Sequence, residues 1–158
     1  MEAVHETTVR SALGRIRFSF AADGSLVAVK LRCPDRVGSK GPRPDGAPDA
    51  RALQAWVDAK LAGQEAPFPG RWEVPGATPF SRKVYRVVSR IPSGRTLSYA
   101  EVARKAGSPN ACRAVGNAMA RNPLPLLVPC HRVLGSAGLG GFTGGLDMKQ
   151  DLLAGEAR

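Results

Sequence analysis

The stretch "NPLPLLVPCHRVLG", Asn122 to Gly135, sets Cys130, His131 and Arg132 directly behind an apolar run punctuated by prolines. A thiol beside an imidazole has three common uses. The thiolate can be a nucleophile with the histidine as its base, the two can be metal ligands, or the thiol can be a buried apolar group with a polar neighbour. Structural zinc needs four ligands, and besides these two residues the chain offers only Cys33, Cys112 and His5 as thiol or imidazole donors, so no metal is expected. Three cysteines with no CxxC pair also read as reduced thiols and not as a disulfide framework.

Charge shows where such a nucleophile would work. The chain carries +10 overall, unevenly: residues 1–80 hold 11 Lys and Arg against 9 Asp and Glu, residues 81–158 hold 12 against 4, so the halves carry +2 and +8. The half with the Cys-His pair is the one that seeks a polyanion, although a solvated basic face would have the same composition. The 158 residues, 43% hydrophobic, suffice for one good core or a small domain packed on another. The start "MEAVHETTVR" lacks the basic and apolar blocks of a signal peptide, and no apolar run approaches the roughly 18 residues of a membrane span, so a cytoplasmic location is expected.

The elements that must position the pair follow from periodicity. "HETTVRSALGRIRFSFAADGSLVAVKLR" predicts three short antiparallel strands, with turns at Gly14 and at "ADGS" and alternation in Ile16, Phe18 and Phe20. Asp49 caps a predicted helix with Leu53, Trp56, Val57 and Leu61 on one face and Gly63 at its end. Residues 1–63 therefore read as a sheet-plus-helix domain and 64–77 as a linker, on the composition of "GQEAPFPGRWEVPGA". Thr78 and Pro79 start a helix whose apolar stripe, Phe80, Val84, Val87, Val88 and Ile91, stops at Pro92. Ser98 with Glu101 makes a capping box for "SYAEVARKAG", and Ser108 with Pro109 opens "NACRAVGNAMARN". Two short helices joined by a tight turn are the helix-turn-helix pattern, in an α+β protein whose second domain is residues 78–158. The second of these helices is unusual for a base reader. Ala111, Cys112, Ala114 and Gly116 are too small to reach base edges, and only Arg113 among them is long. Small residues permit close approach to a groove, and they equally permit close packing on a neighbouring helix.

Four blocks in order, "SYAEVA", "RAVGNAM", "NPLPLLVPCHRV" and "GGFTGGLDMKQDLLAGE", resemble the O6-alkylguanine-DNA alkyltransferase family, whose reactive motif is Pro-Cys-His-Arg-Val. The resemblance spans residues 78–156 and extends to the N-terminal part only in layout. It implies a single-turnover DNA repair protein, without cofactor and acting as a monomer, that binds duplex DNA bearing O6-alkylguanine, flips the base and takes its alkyl group on Cys130. It implies His131 as the base, acting through a water because adjacent side chains rarely face each other, and Glu156 as the carboxylate that orients this histidine. Tyr99 matches a tyrosine thought to donate its hydroxyl to the purine, and Asn122 an asparagine that braces the segment before the nucleophile, a position where it would serve equally as a helix cap. Arg113 matches the intercalating arginine, on a helix whose Ala111, Cys112, Ala114 and Gly116 would face the minor groove. Met119, Phe142, Thr143 and the carbonyls of Cys130 and Val133 would meet the base. Phe142 stands where relatives can carry tyrosine, Cys112 where alanine is more usual, and the spacing in "GSAGLGGFTGG" is about one residue shorter than in some relatives. A relative that binds alkylated DNA without reacting would have another residue in place of Cys130. A cysteine peptidase would not need the basic hairpin, and a regulator using only that hairpin would not need Cys130, His131 and Glu156.

Overall fold

The computed structural model describes residues 2–135 and 145–157, except for the side chain of Leu146. The chain divides into two compact units, Met1–Pro75 and Gly76–Arg158.

In the first unit, strands β1 (Ala3–Val9), β2 (Ile16–Ala21), β3 (Leu26–Lys30) and β4 (Gly38–Lys40) form an antiparallel sheet in the order β3-β2-β1-β4. Three of these were expected. β4 was not, because its Gly-Ser-Lys is polar and fully exposed and leaves no alternation to read. The tight turn before β3 needs Gly24, whose φ is +88° and where a Cβ would collide with the Asp45 carbonyl oxygen. Helix α1 (Ala50–Leu61) begins at Asp49, whose carboxylate accepts from the Ala52 N–H at 2.9 Å, a cap contributing about 1 kcal/mol. Leu53, Trp56 and Val57 are its buried face, as the periodicity predicts.

The linker expectation fails over most of its length. Phe68 stacks on Phe18 and meets Trp56 edge-on at 5.3 Å, and the indole N–H of Trp56 donates to the Ala66 carbonyl. The Leu26 N–H donates to Arg71 O and the Glu73 N–H to Leu26 O, a parallel bridge that ties Trp72 to β3. Residues 64–75 therefore complete the first unit, whose limit is Pro75 and not residue 63. Composition marked the segment as irregular, and the Phe68 ring with the backbone of Arg71 and Glu73 bound it to the rest of the unit.

In the second unit, Thr78 caps helix α2 (Pro79–Ser89), which buries Val84, Tyr85 and Val88. A turn closed by the Arg95 N–H to Pro92 O leads to β5 (Leu97–Ser98). Ser98 accepts from the Glu101 N–H at 3.1 Å and starts α3 (Tyr99–Lys105). The next helix, α4 (Cys112–Ala120), starts two residues later than "NACRA" suggests: its cap is Ala111, with no side-chain bond, and Ser108 instead receives the Ala111 N–H on its carbonyl in the preceding turn. A 3-10 turn (Cys130–Arg132), strand β6 (Val133–Leu134) and helix α5 (Leu146–Glu156) complete the unit. β5 and β6 pair in parallel, Leu97 with Val133 and Ser98 with Leu134, so the start of α3 lies beside the segment that leaves Cys130. Among the described residues, no helix is long and apolar enough to cross a membrane.

Candidate active site

The site is built on a constrained loop. Pro129, at φ −76° and ψ 69°, is the centre of an inverse γ-turn in which the Cys130 N–H donates to Val128 O at 2.7 Å. The same Val128 carbonyl accepts from Asn122 Nδ2 at 2.9 Å, while Asn122 Oδ1 accepts from the Leu124 N–H at 3.0 Å. One buried amide thus spans the loop and holds the carbonyl on which the nucleophile's backbone hangs. Asn122 is a brace, and the helix cap is Arg121. Leu126, after Pro125, has φ +73°, a conformation that costs a non-glycine residue on the order of 1–3 kcal/mol. Its side chain is only 3% exposed, so apolar burial offsets the strain.

The Cys130 thiol is buried, and burial pushes its pKa above the ordinary thiol value; the Asn122 side chain and the Lys149 ammonium pull in the opposite direction. The resting group is therefore a thiol, and a base must take its proton during the reaction. His131 is 2% exposed and bonds through Nε2 to Glu156 Oε1 at 2.7 Å. Burial works to raise the Glu156 pKa, but hydrogen bonds and charge from His131 and Arg132 outweigh it and hold the carboxyl at about 2. An ionised carboxylate only accepts, so Nε2 carries the hydrogen and, in the neutral ring, Nδ1 is the nitrogen able to take a proton.

Two buried cations that the motif reading left without a role complete this arrangement. Arg132 donates from Nε to both Glu156 oxygens, at 3.1 and 3.0 Å, from Nη2 to Oε1 at 2.7 Å, and from Nη1 to Ile91 O at 2.6 Å. Lys149 is fully buried and donates from Nζ to Val133 O at 2.7 Å. Burial lowers its pKa, and the nearby Cys130 opposes that shift. The Val133 carbonyl, expected to meet the base's amine, thus has one acceptor site engaged and a second lone pair remaining.

Residues 79–158 match the family described as 6-O-methylguanine DNA methyltransferase, DNA binding domain. A methylated-DNA–protein-cysteine methyltransferase of Mycobacterium tuberculosis is 37% identical over 154 residues, covering 95% of this chain and 90% of that protein. The chain belongs to the methylated-DNA–protein-cysteine methyltransferase family. The protein of that name from Mycolicibacterium paratuberculosis is 48% identical over 103 residues, 65% of this chain and 62% of its own length. The crystal structure of Mycobacterium tuberculosis OGT in complex with DNA superposes with a TM-score of 0.77 at 31% identity, over 96% of this chain and 92% of that one.

In this methyltransferase the residues expected to face DNA are the cap and the first two turns of α4. Cys112, Arg113 and Ala114 are exposed, Ala111 and Gly116 half-buried, and Val115, Ala118 and Met119 turn inward. A Cβ at Gly116 would meet nothing within 4 Å, so close packing on a neighbour does not account for the small residue there. Met119 is on the inward face, 6% exposed, and not on an open surface. Tyr99 opens α3 and is half-buried, brought toward the Cys130 segment by the β5–β6 pairing. Phe142 and Thr143 lie outside the described residues. Tyr85, which the stripe on α2 omitted, is buried and donates its hydroxyl to Ala118 O at 2.9 Å, fastening α4 to α2. Among the described residues, no three His, Cys, Asp or Glu side chains gather as a metal centre requires.

Proposed function

We propose that this methyltransferase removes the alkyl group from O6 of alkylguanine in duplex DNA by transferring it to Cys130, once per molecule. The observation that supports the residue assignment is the buried His131 ring held at 2.7 Å by an ionised, cation-held Glu156, next in sequence to a buried thiol, Cys130. Docking of the base brings the carbon to be transferred in line with Sγ. Nδ1 of His131 takes the thiol proton through a water as the sulfur attacks. The carbon–oxygen bond breaks as the carbon–sulfur bond forms, and the departing guanine regains a proton, for which the Tyr99 hydroxyl is the assigned donor; the proton held by His131 then passes through solvent to the Tyr99 phenolate, so both groups end neutral. Glu156 keeps the hydrogen on Nε2 and stabilises the imidazolium while it lasts.

The thiol is 4% exposed, so a base stacked within a duplex does not reach it and must be rotated out. The exposed face of α4 suits the minor groove: Ala111, Cys112, Ala114 and Gly116 allow close approach, and the Arg113 guanidinium takes the space of the displaced nucleotide. Met119, Phe142 and Thr143 are assigned to the base. A cytoplasmic setting, where thiols stay reduced, and action as a monomer belong to the same reading.

Stoichiometry tests it. A thioether has neither the acyl nor the disulfide bond that thiol exchange attacks, so product stops at about one equivalent per chain. With excess O6-methylguanine DNA, intact mass rises by one methylene and peptide mapping places it on Cys130, not on Cys33 or Cys112. Cys130→Ser abolishes transfer and retains salt-sensitive DNA binding, which comes mainly from phosphate contacts. Turnover beyond one equivalent with unmodified Cys130 refutes the assignment.

A further inference from the structure

The turn after α2 and the end of α3 line an open cavity of about 520 Å³, whose lining contains neither Cys130, His131 nor Glu156. That volume falls within the range of small-ligand pockets, roughly 300–1,000 Å³. Three of its lining residues are Arg90, Arg95 and Lys105, contributed by the end of α2, the following turn and the end of α3. All three are exposed, none is ion-paired among the described residues, and no lining residue is acidic. Ile91, buried, and Val87 and Leu97, half-buried, place an aliphatic wall behind these charges.

The convergence is imposed by the backbone. Arg95 is brought round by the turn that its N–H closes onto Pro92 O, with Gly94 at φ +81°. Gly94 could not be replaced cheaply, since a Cβ there would also stand 3.3 Å from the Glu156 carbonyl oxygen. On the other side of the turn, Ile91 O is held by Arg132. The pocket wall is thus anchored on both flanks before any ligand arrives. The C-terminal dipole of α2 disfavours an anion here by the equivalent of about half a charge, against three full positive charges.

We infer that this pocket is a phosphate-binding site, taking a phosphoester whose phosphate is clasped by Arg90, Arg95 and Lys105 and whose attached group rests on Val87, Ile91 and Leu97. Two carriers present that chemistry, a DNA backbone and a free nucleotide, and one pair of variants separates them. Arg90→Ala/Arg95→Ala is compared with Arg82→Ala/Arg86→Ala, an equal charge change at exposed positions of α2 outside the pocket. Urea unfolding followed by circular dichroism reports that each variant is folded. Binding of an undamaged 20-base-pair duplex is followed by fluorescence anisotropy from about 50 to 200 mM salt, and binding of adenosine monophosphate by calorimetry.

For a backbone phosphate, the pocket pair loses several-fold more duplex affinity than the control pair, and its salt dependence flattens by about 0.9 in the log–log slope, one phosphate contact. For a free nucleotide, adenosine monophosphate binds the native protein and the control pair but not the pocket pair, with duplex binding equal in both pairs. Equal duplex losses in both pairs, together with no nucleotide binding by the native protein, overturn the inference. None of these readouts depends on the alkyl acceptor, so failure of the Cys130 assignment and failure of the pocket are distinguishable.

Discussion

Glu156→Gln tests the centre of the site most sharply, because the carboxylate is called on twice, by a base and by a buried cation. It receives one bond from His131 and three from Arg132, with side-chain exposures of only 4% for Glu156 and 3% for Arg132. A carboxyl lowered from 4.5 to about 2 favours the folded state by about 3 kcal/mol at 1.36 kcal/mol per unit, reduced to about 2 kcal/mol for a residue that is half-buried overall. Glutamine removes the charge, turns an NH2 donor toward other donors and leaves the Arg132 guanidinium buried with Ile91 O. Breaking a buried pair from one side costs about 3–5 kcal/mol. Urea unfolding at pH 7 should therefore show the variant less stable by about 2–4 kcal/mol.

The pH dependence has a defined sign. A depressed carboxyl pKa contributes stability above the unfolded value near 4.5, and that contribution is lost as pH falls toward 2. The difference between native protein and variant should thus hold from pH 7 to pH 5 and fall to less than half by pH 3. Chemistry supplies a second readout, which a merely structural role would not move. Without the carboxylate, the Nε2–H tautomer loses its anchor and Cys130 alkylation by free O6-methylguanine base should slow on the order of 10- to 100-fold at neutral pH. The rate should recover as the thiol ionises unaided. Because burial raises the Cys130 pKa, that recovery should lie above the usual thiol value of about 8.5. Superimposable rate–pH profiles, with equal unfolding midpoints, would refute both roles of Glu156.

Further outcomes follow from single side chains. Arg113→Ala should slow repair in duplex DNA far more than reaction with the free base, which needs no flipping; equal losses would remove its assigned role. Lys149→Met keeps most of the buried volume but removes the positive charge beside Cys130 and the bond to Val133 O. Thiol labelling against pH should then show the Cys130 pKa displaced further upward, and an unchanged profile would assign Lys149 to loop packing alone.

Much of this protein was legible from types and spacing, and what was not has identifiable causes. Caps and stripes at Asp49, Thr78 and Ser98 placed three helices, because a cap is a local bond between residues two or three apart. The path Cys130, His131, Glu156 came from resemblance and not from periodicity: a glutamate near the end of the sequence has no local signature of burial. β4 and the docking of 64–75 were missed because their partners are distant in sequence, Lys40 opposite Glu6 and Trp72 opposite Leu26. Arg132 and Lys149 were missed because long cations belong in water unless something pairs with them, and that partner is visible only in three dimensions. A usable signal nevertheless exists for Lys149. Counting back along α5 from Glu156, Leu152 and Lys149 fall four and seven residues away, on the same helical face. Once Glu156 is placed beside His131, that face must be directed at the nucleophile's loop, and the lysine's charge follows it inward. The same reasoning applies to Arg132, since a cation two residues from Cys130 in an otherwise apolar run has no solvent to turn to and must find the carboxylate that His131 uses.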